Sequence, residues 1–395
     1  MTWFLFCYWY EPDAPRDPVG LVRMWTLARQ LADLGDPVTV FPPRYASAKC
    51  QTGFQTVAVP LLSWPVLRPL SYVAGSFVAG LLIALWHKPA VVYYRWMASP
   101  HPILIARMLG SLCVCEVNGE PVPDWSGGRT GIGGRLRHWM AGQALRRCHR
   151  LVVLTEGLRD LVVGRYGVAA ERVAVLPSGT DTELFAPRDR RVCRRLAGLE
   201  SQAEYVGFVG SFYQYQGLDC LLDAFVRVRH RRPSARLLLV GDGETAQSLR
   251  ERAARLGLGE AVIWTGRVPY AQVPNLIGAM DVCVAPFCGD RGETSPVKLF
   301  DYLACGRPAV ASAIPSVSRV FTDRRGVVLV PPDDPTALAT SLLTLLEHPE
   351  SAGEIGQRGR EFVEHRYSWS RLTRELRDWL QRDPAPAAHA NPGLL

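Results

Sequence analysis

No two of the ten cysteines (Cys7, Cys50, Cys113, Cys115, Cys148, Cys193, Cys220, Cys283, Cys288, Cys305) stand in a CxxC spacing. That removes the usual signature of a zinc site or a dithiol redox centre. Several lie inside apolar runs such as "VCVAPF", where buried free thiols of a reducing compartment are expected rather than a disulfide framework. HExxH, GxSxG and GxxxxGK[ST] are also missing, so zinc-peptidase, serine-hydrolase and P-loop readings have no support. The opening MTWFLFCYWY lacks a basic n-region and a small-residue cleavage site. It reads as a first buried strand rather than a signal peptide, and a cytoplasmic protein is expected. No known nucleic-acid motif accompanies the basic residues, so a nucleic-acid partner is not expected.

What is present is an ordinary globular composition, 395 residues with 48% hydrophobic and 21% charged, long enough for two cores. The 45 Lys+Arg against 37 Asp+Glu give a charge of +8. Much of the surplus sits in clusters such as Arg146-Arg147, Arg227 to Arg232 and Arg358 to Arg371. These read either as solvated helix surface or as attraction for phosphates and anionic lipid headgroups.

Short apolar runs at 3–8, 37–41, 90–94, 112–116 and 151–154 alternate with helix-length stretches, as buried parallel strands of a βαβ sheet do. A second series follows at 205–210, 235–241, 261–266, 282–287, 308–312 and 327–330. The fold class is therefore α/β, two Rossmann-like doubly wound domains. Residues 1–180 are expected to form the first domain, 181–200 a linker and 201–367 the second domain. Residues 368–382 are expected as a helix packing back on the first domain, and 383–395, "DPAPAAHANPGLL", as a disordered tail.

Residues 69–86, "PLSYVAGSFVAGLLIALW", carry no formal charge and reach the lower limit of a bilayer span. Pro69, Ser71 and Ser76 dilute the run, which favours a helix of the first domain, in its core or partly buried in a membrane interface, over a true span.

The segment "GETSPVKLFDYLACGRPAVAS" carries the most chemistry. Ser295-Pro296 form a natural N-cap and first helical position, and Gly306-Arg307-Pro308 stop that helix. Its free N–H groups suit an anionic diphosphate. Lys298 in the same first turn is an unusual cation at a helix N-terminus unless an anion is near. Glu293 and Asp301, with seven residues between them, suit sugar hydroxyls and a ribose diol, although two acids at a helix start also fit solvated caps.

With its neighbours, this segment resembles the family 4 retaining glycosyltransferases of the GT-B fold, over nearly the whole chain. "VGLVRMWTLARQLADLGDPVTVF" is similar to the family's opening Gly loop and helix. "RLVVLTEGLRDLVVGRYGVAAERVAVLPSGTDTELFAP" resembles its interdomain signature, with Ser178 for the usual Asn and Thr180 for Val. "GFVGSFYQYQGLDCLLDAF", "LLLVGDGE" and "TGRVPYAQVPNLIGAMDVCVAPF" resemble the donor domain up to the acidic motif. The chain departs from the family where Asp301 replaces a second Glu, and where Ser211 and Gln216 replace the Arg and Lys that clamp the donor diphosphate.

The resemblance implies a sugar transferred from a UDP- or GDP-linked donor to a glycan or lipid-linked acceptor, with retention and no metal or other cofactor. It places the site in a cleft that the two domains face, at the inner side of a membrane, with peripheral membrane contact. The catalytic candidates are Glu293, Lys298 and Asn118. Gly20, Gly210, Ser211, Gln216, Arg267, Thr294, Ser295, Pro296, Val297 and Asp301 would bind the donor, with Lys298 and then Arg267 standing in for the missing clamp. Arg95, with Trp96 beside it, and Glu116 would line the acceptor pocket. A sugar-nucleotide epimerase, a phosphorylase, or a degenerate GT-B protein acting as a partner or scaffold are the alternatives.

Overall fold

The computed structural model describes residues 1–8, 19–44, 53–62, 64, 67–122, 132–289, 295–321 and 325–382. The described residues divide into two compact units, one within 1–177 together with 372–382, and one within 178–371.

The first unit is built on a seven-stranded sheet of order β3-β2-β1-β4-β5-β6-β7, in which every pairing is parallel. Strands β1 (Trp3–Phe6), β2 (Val38–Phe41), β4 (Val91–Arg95), β5 (Leu112–Val117) and β6 (Arg150–Val153) are almost wholly buried. Apolar runs without polar alternation produce this, because both sheet faces are covered. The edge strands β3 (Gln55–Thr56) and β7 (Val173–Val175) are short and partly exposed, and no periodic pattern announces them.

Helices α1 (Val19–Asp33) and α14 (Trp369–Arg382) supply apolar side chains to one face. Helices α2 (Leu67–Ala84), α3 (His101–Leu109), α4 (Ile132–Arg147) and α5 (Glu156–Gly164) cover the other. Right-handed crossovers sort them in this way, because the chain moves in opposite directions along the sheet in the two halves. Among the described residues α2 is the one helix long and apolar enough to cross a membrane, by length and composition, yet only 17% of it is buried. Tyr72, Ser76 and Gly80, one turn apart, make its buried stripe, whereas Leu70, Leu82 and the following Trp86 are 60%, 57% and 84% exposed. The helix is therefore not buried all round as a core helix would be.

The second unit has a six-stranded sheet of order β10-β9-β8-β11-β12-β13, again parallel throughout. Its strands are β8 (Tyr205–Val209), β9 (Arg236–Val240), β10 (Val262–Gly266), β11 (Val282–Ala285), β12 (Ala309–Ser312) and β13 (Val327–Val330). Helices α7 (Leu218–Arg231), α8 (Ala246–Arg255) and α12 (Pro335–Glu347) pack on one face. Helices α9 (Val273–Ala279), α10 (Val297–Ala304), the short α11 (Pro315–Ser318) and α13 (Pro349–Arg366) pack on the other. The stretch expected as a linker contains α6 (Arg190–Leu196) and groups with this unit. The expected tail, 383–395, lies outside the described residues.

The nine described cysteines are all free thiols, seven of them buried. The strand order reverses between β8 and β11, and between β1 and β4. A doubly wound sheet opens a crevice at such a point, beyond the carboxyl ends of the strands.

Candidate donor and acceptor sites

In the second unit the reversal point is shaped by close backbone packing. Strand β8 is followed by Gly210, with φ +147, whose N–H donates to the Val240 carbonyl at 3.0 Å. The chain then makes a turn that ends at Gly217, with φ +69. A Cβ at Gly217 would lie 1.8 Å from the Pro286 carbonyl oxygen, so both the backbone angle and the space demand glycine. This turn delivers Gln216, 6% exposed, to the second residue of α10. Lys298 Nζ donates to Gln216 Oε1 at 2.6 Å. The ammonium also lies 3.8 Å from the centroid of the Phe208 ring and 5.3 Å from that of Phe287, where ring quadrupoles attract a cation by ~0.5–2 kcal/mol. A Cβ on Gly210 would approach the same Nζ to 3.1 Å, so glycine leaves room for the lysine.

Helix α10 is anchored behind this point by Tyr302, whose hydroxyl accepts from the Val209 N–H at 2.7 Å. Its N-terminal turn therefore faces the ends of β8 and β11. The helix begins one residue later than expected: Pro296 is the N-cap, without a side-chain capping bond, and Val297 opens the helix. Ser295 does not cap. It is 8% exposed, and its Oγ is buried with no hydrogen-bond partner, beside a helix end whose first N–H groups have none within the helix. Asp301, one turn on, accepts a hydrogen bond from Thr180 Oγ1 at 2.6 Å. Burial pushes its carboxyl up to about 7, against the lowering effect of the Thr180 bond.

Of the donor residues expected from the sequence, Gly210, Gln216 and Lys298 come together here, with Ser295, Pro296 and Val297 on the same helix start. Ser211 and Arg267 are exposed, and Arg267 makes no hydrogen bond or ion pair among the described residues. Glu293 and Thr294 lie outside the described residues. Gly20 belongs to the first turn of α1. Phe208, Phe287, Tyr302 and Thr180 complete the site and escape sequence reasoning. The first two stand in "GFVG" and "APF", at strand ends that read as plain core.

In the first unit the end of β5 carries the acceptor candidates. Glu116 is fully buried. Its Oε2 accepts from Arg23 Nε at 2.9 Å and from the Tyr93 hydroxyl at 2.5 Å. Arg23 also donates to the carbonyls of Leu176 and Pro177 at 3.2 and 3.3 Å. Burial alone would raise the Glu116 carboxyl, but the Arg23 charge, the Tyr93 hydroxyl and the Arg95 charge outweigh it and hold the carboxyl below its ordinary value. Glu116 Oε1 and Asn118 Oδ1 are buried without a hydrogen-bond partner. Such orphans are few in native proteins, and two occur here two residues apart, on one side of a strand end. Arg95, at the end of β4, hydrogen-bonds the Cys7 thiol, which burial pushes up to about 12. Trp96 Nε1 donates to the Pro121 carbonyl at 3.1 Å. Among the described residues no group of three or more His, Cys, Asp or Glu is arranged to hold a metal ion.

Two family models match the chain. The one described as Glycosyltransferase Family 4 matches residues 22–184, and the one described as Glycosyl transferases group 1 matches residues 203–348. A D-inositol 3-phosphate glycosyltransferase of Segniliparus rotundus is 29% identical over 234 residues, 58% of this chain and 51% of that protein. The chain thus spans about half the length of the first curated relatives it matches. The crystal structure of Anabaena HepE in complex with UDP superposes with a TM-score of 0.75 at 16% identity, covering 97% of this chain and 100% of that one. WaaG, a glycosyltransferase involved in lipopolysaccharide biosynthesis, gives 0.70 at 18% identity, covering 96% and 99%. These two likenesses show the fold.

Proposed function

Since the chain belongs to the family 4, group 1 glycosyltransferases and has their GT-B fold, we propose that it moves a sugar from a nucleoside-diphosphate donor to an acceptor hydroxyl. The donor diphosphate lies on the N-terminal turn of α10. One observation carries this reading: the start of α10 holds both the Lys298 ammonium, fixed by Gln216 and the Phe208 ring, and a Ser295 hydroxyl buried with no partner.

When the bond between the anomeric carbon and the diphosphate oxygen breaks, negative charge grows on the terminal phosphate. Helix amides and Lys298 are already in place to receive it, and preorganised donors of this kind are worth about 10²–10³ in rate each. Lys298 and Gln216 thus take over the task of the absent Arg/Lys clamp. The acceptor oxygen attacks the anomeric carbon from the face the phosphate leaves and passes its proton to the departing phosphate, so configuration is retained. Asn118 Oδ1 and Glu116 Oε1 accept hydrogen bonds from the acceptor, and Glu293 orients the donor sugar.

UDP is the first nucleotide to test, because HepE is described in complex with it. The acceptor is a glycan or lipid-linked precursor of the envelope, as WaaG's role in lipopolysaccharide biosynthesis suggests. The exposed apolar side of α2 gives the protein peripheral contact with the inner face of a membrane.

The test is a thermal-shift screen of wild type and Lys298→Ala against UDP, GDP and ADP, since a ligand that binds only the folded state raises its stability. One nucleotide should raise the Tm of wild type, and the variant should lose most of that shift. No shift with any nucleotide would overturn the donor site and favour a non-catalytic partner or scaffold role.

A further inference from the structure

A second group of cations lies in the first unit, on helices that carry none of the donor residues. A cleft of about 460 Å³ opens between α4 and the end of α5, within the ~300–1,000 Å³ range of small-molecule sites. Arg135, His138, Trp139, Gly142 and Arg146 line one wall on successive turns of α4, and Arg165 and Tyr166 the other.

The Arg146 guanidinium is folded back over a glycine. A Cβ on Gly142 would meet its Nη1 at 3.1 Å and its Cζ at 3.6 Å, and Nη1 donates to the Tyr166 carbonyl at 2.5 Å. Arg165 pairs with Glu120 at 2.5 Å. Its Nη2 stands 3.2 Å from His138 Nε2. Arginine only donates, so Nε2 accepts, and the neutral ring carries its proton on Nδ1, 3.2 Å from the Tyr166 hydroxyl. Among the described residues, the three guanidiniums that line the cleft have one carboxylate partner, Glu120 on Arg165. Among the described residues, neither Arg135 nor Arg146 has an acidic partner.

The surroundings say what kind of anion fits. Beside the cleft, Leu136, Trp139 and Met140 are 54%, 60% and 56% exposed, an apolar ridge standing among arginines. The sequence has no Asp or Glu between Asp124 and Glu156, nor between Asp36 and Glu116. These two stretches hold α2, α3 and α4, which cover the same sheet face and whose outer sides also expose Leu82, Trp86 and Met108. The outer side of α2, α3 and α4, which carries arginines and large apolar side chains and no acid of its own, is complementary to an anionic bilayer interface.

We propose that the α4–α5 cleft seats the phosphate of an anionic lipid headgroup, with Leu136, Trp139 and Met140 dipping into the interface beside it. The inference rests on the peripheral-membrane reading of α2 and adds a headgroup site to it. Arg146 and Arg135 donate to the phosphate oxygens.

The test is co-sedimentation of the full chain with phosphatidylcholine vesicles, with and without phosphatidic acid, for wild type, Arg135→Ala/Arg146→Ala and Gly142→Ala. Wild type should prefer the anionic vesicles. Each cation near an anionic surface is worth roughly fivefold, so the double variant should partition about thirtyfold more weakly. Its nucleotide-induced thermal shift should persist, which separates this site from the donor site. Gly142→Ala is the second probe. It replaces a mid-helix glycine with the best helix former, so stability should hold or rise while vesicle binding falls by less than in the double variant, because the new methyl makes the Arg146 guanidinium give way slightly.

Unchanged partitioning of both variants would overturn the headgroup site. If an α2 variant such as Leu82→Ser/Trp86→Ser alone abolished binding, α2 would be the only anchor. If wild type ignored both vesicles, the peripheral-membrane reading would fail with the headgroup site. If soluble glycerol phosphate stabilised wild type through Arg146 while vesicles did not bind, the cleft would be a site for free phosphate esters.

Discussion

Lys298 Nζ and Gln216 Oε1 meet at 2.6 Å across 82 residues of sequence, and the contact joins the position where the sequence resemblance leads one to expect a lysine to the cation proposed to stand in for it. The amide does not neutralise the ammonium. It fixes the direction in which the ammonium points.

Gln216→Ala should therefore weaken catalysis without removing the charge. A hydrogen bond to an ionised group contributes ~1.5–3 kcal/mol, so kcat/KM for the donor should fall about 10- to 100-fold, less than the loss in Lys298→Ala. Lys298→Arg should not restore the rate, because a planar fork does not fit the space between the Phe208 and Phe287 rings as a compact ammonium does. Steady-state kinetics of the three variants check both points, and full activity of Lys298→Arg would show that charge alone suffices.

The Asp301 carboxyl gives a pH signature of the second unit. Its ordinary value is 3.8 and the folded value is raised to about 7. Between these the folded protein keeps a proton that the unfolded chain has lost, so this group's contribution to stability declines as pH rises from about 4 to about 7, by at most ~1.4 kcal/mol per pH unit. Asp301→Asn keeps an acceptor for Thr180 and has no charge to bury. It should match wild type near pH 4 and become the more stable protein by pH 7, as read from Tm against pH. Parallel curves for the two proteins would mean that Asp301 is ionised throughout.

Much of the fold was legible because parallel strands covered on both faces need continuous apolar runs, and runs such as 205–210 and 282–287 lie on β8 and β11. Their ends moved inward by a residue or two, since apolar residues continue into the buried starts of loops. Strands β3 and β7 left no trace: two or three half-exposed residues at a sheet edge have no period to detect. At the site, Lys298 and Gln216 could each be singled out, but not their contact, which depends on a glycine turn fitting under Pro286. Ser295 looked like an N-cap from residue type alone, whereas its hydroxyl turns inward and Pro296 takes that place. For α2, length and apolarity were plain, but the buried face follows from what the helix packs against, a long-range fact.

Glu116 shows how far burial departs from sequence appearance, because an acid at a strand end reads as solvent-facing, while here Arg23, 93 residues earlier, covers it. The pair is nearly excluded from water, at 12% and 1% side-chain exposure, so removing one partner leaves a buried charge that costs ~3–5 kcal/mol. Arg23→Ala should lose about that much in denaturant melts. Glu116→Gln should cost less, since a neutral amide still accepts from Tyr93 and leaves no anion in the core. The double variant should regain most of the Arg23→Ala loss, a coupling that a pair in water would not show. Because the folded carboxyl lies below its ordinary value, its stabilising contribution is complete above the unfolded pKa and disappears as pH falls through the folded one. The deficit of Arg23→Ala relative to wild type should therefore shrink on acidification, and a deficit that stays constant to low pH would assign the loss to the two carbonyl bonds of Arg23 instead of its charge.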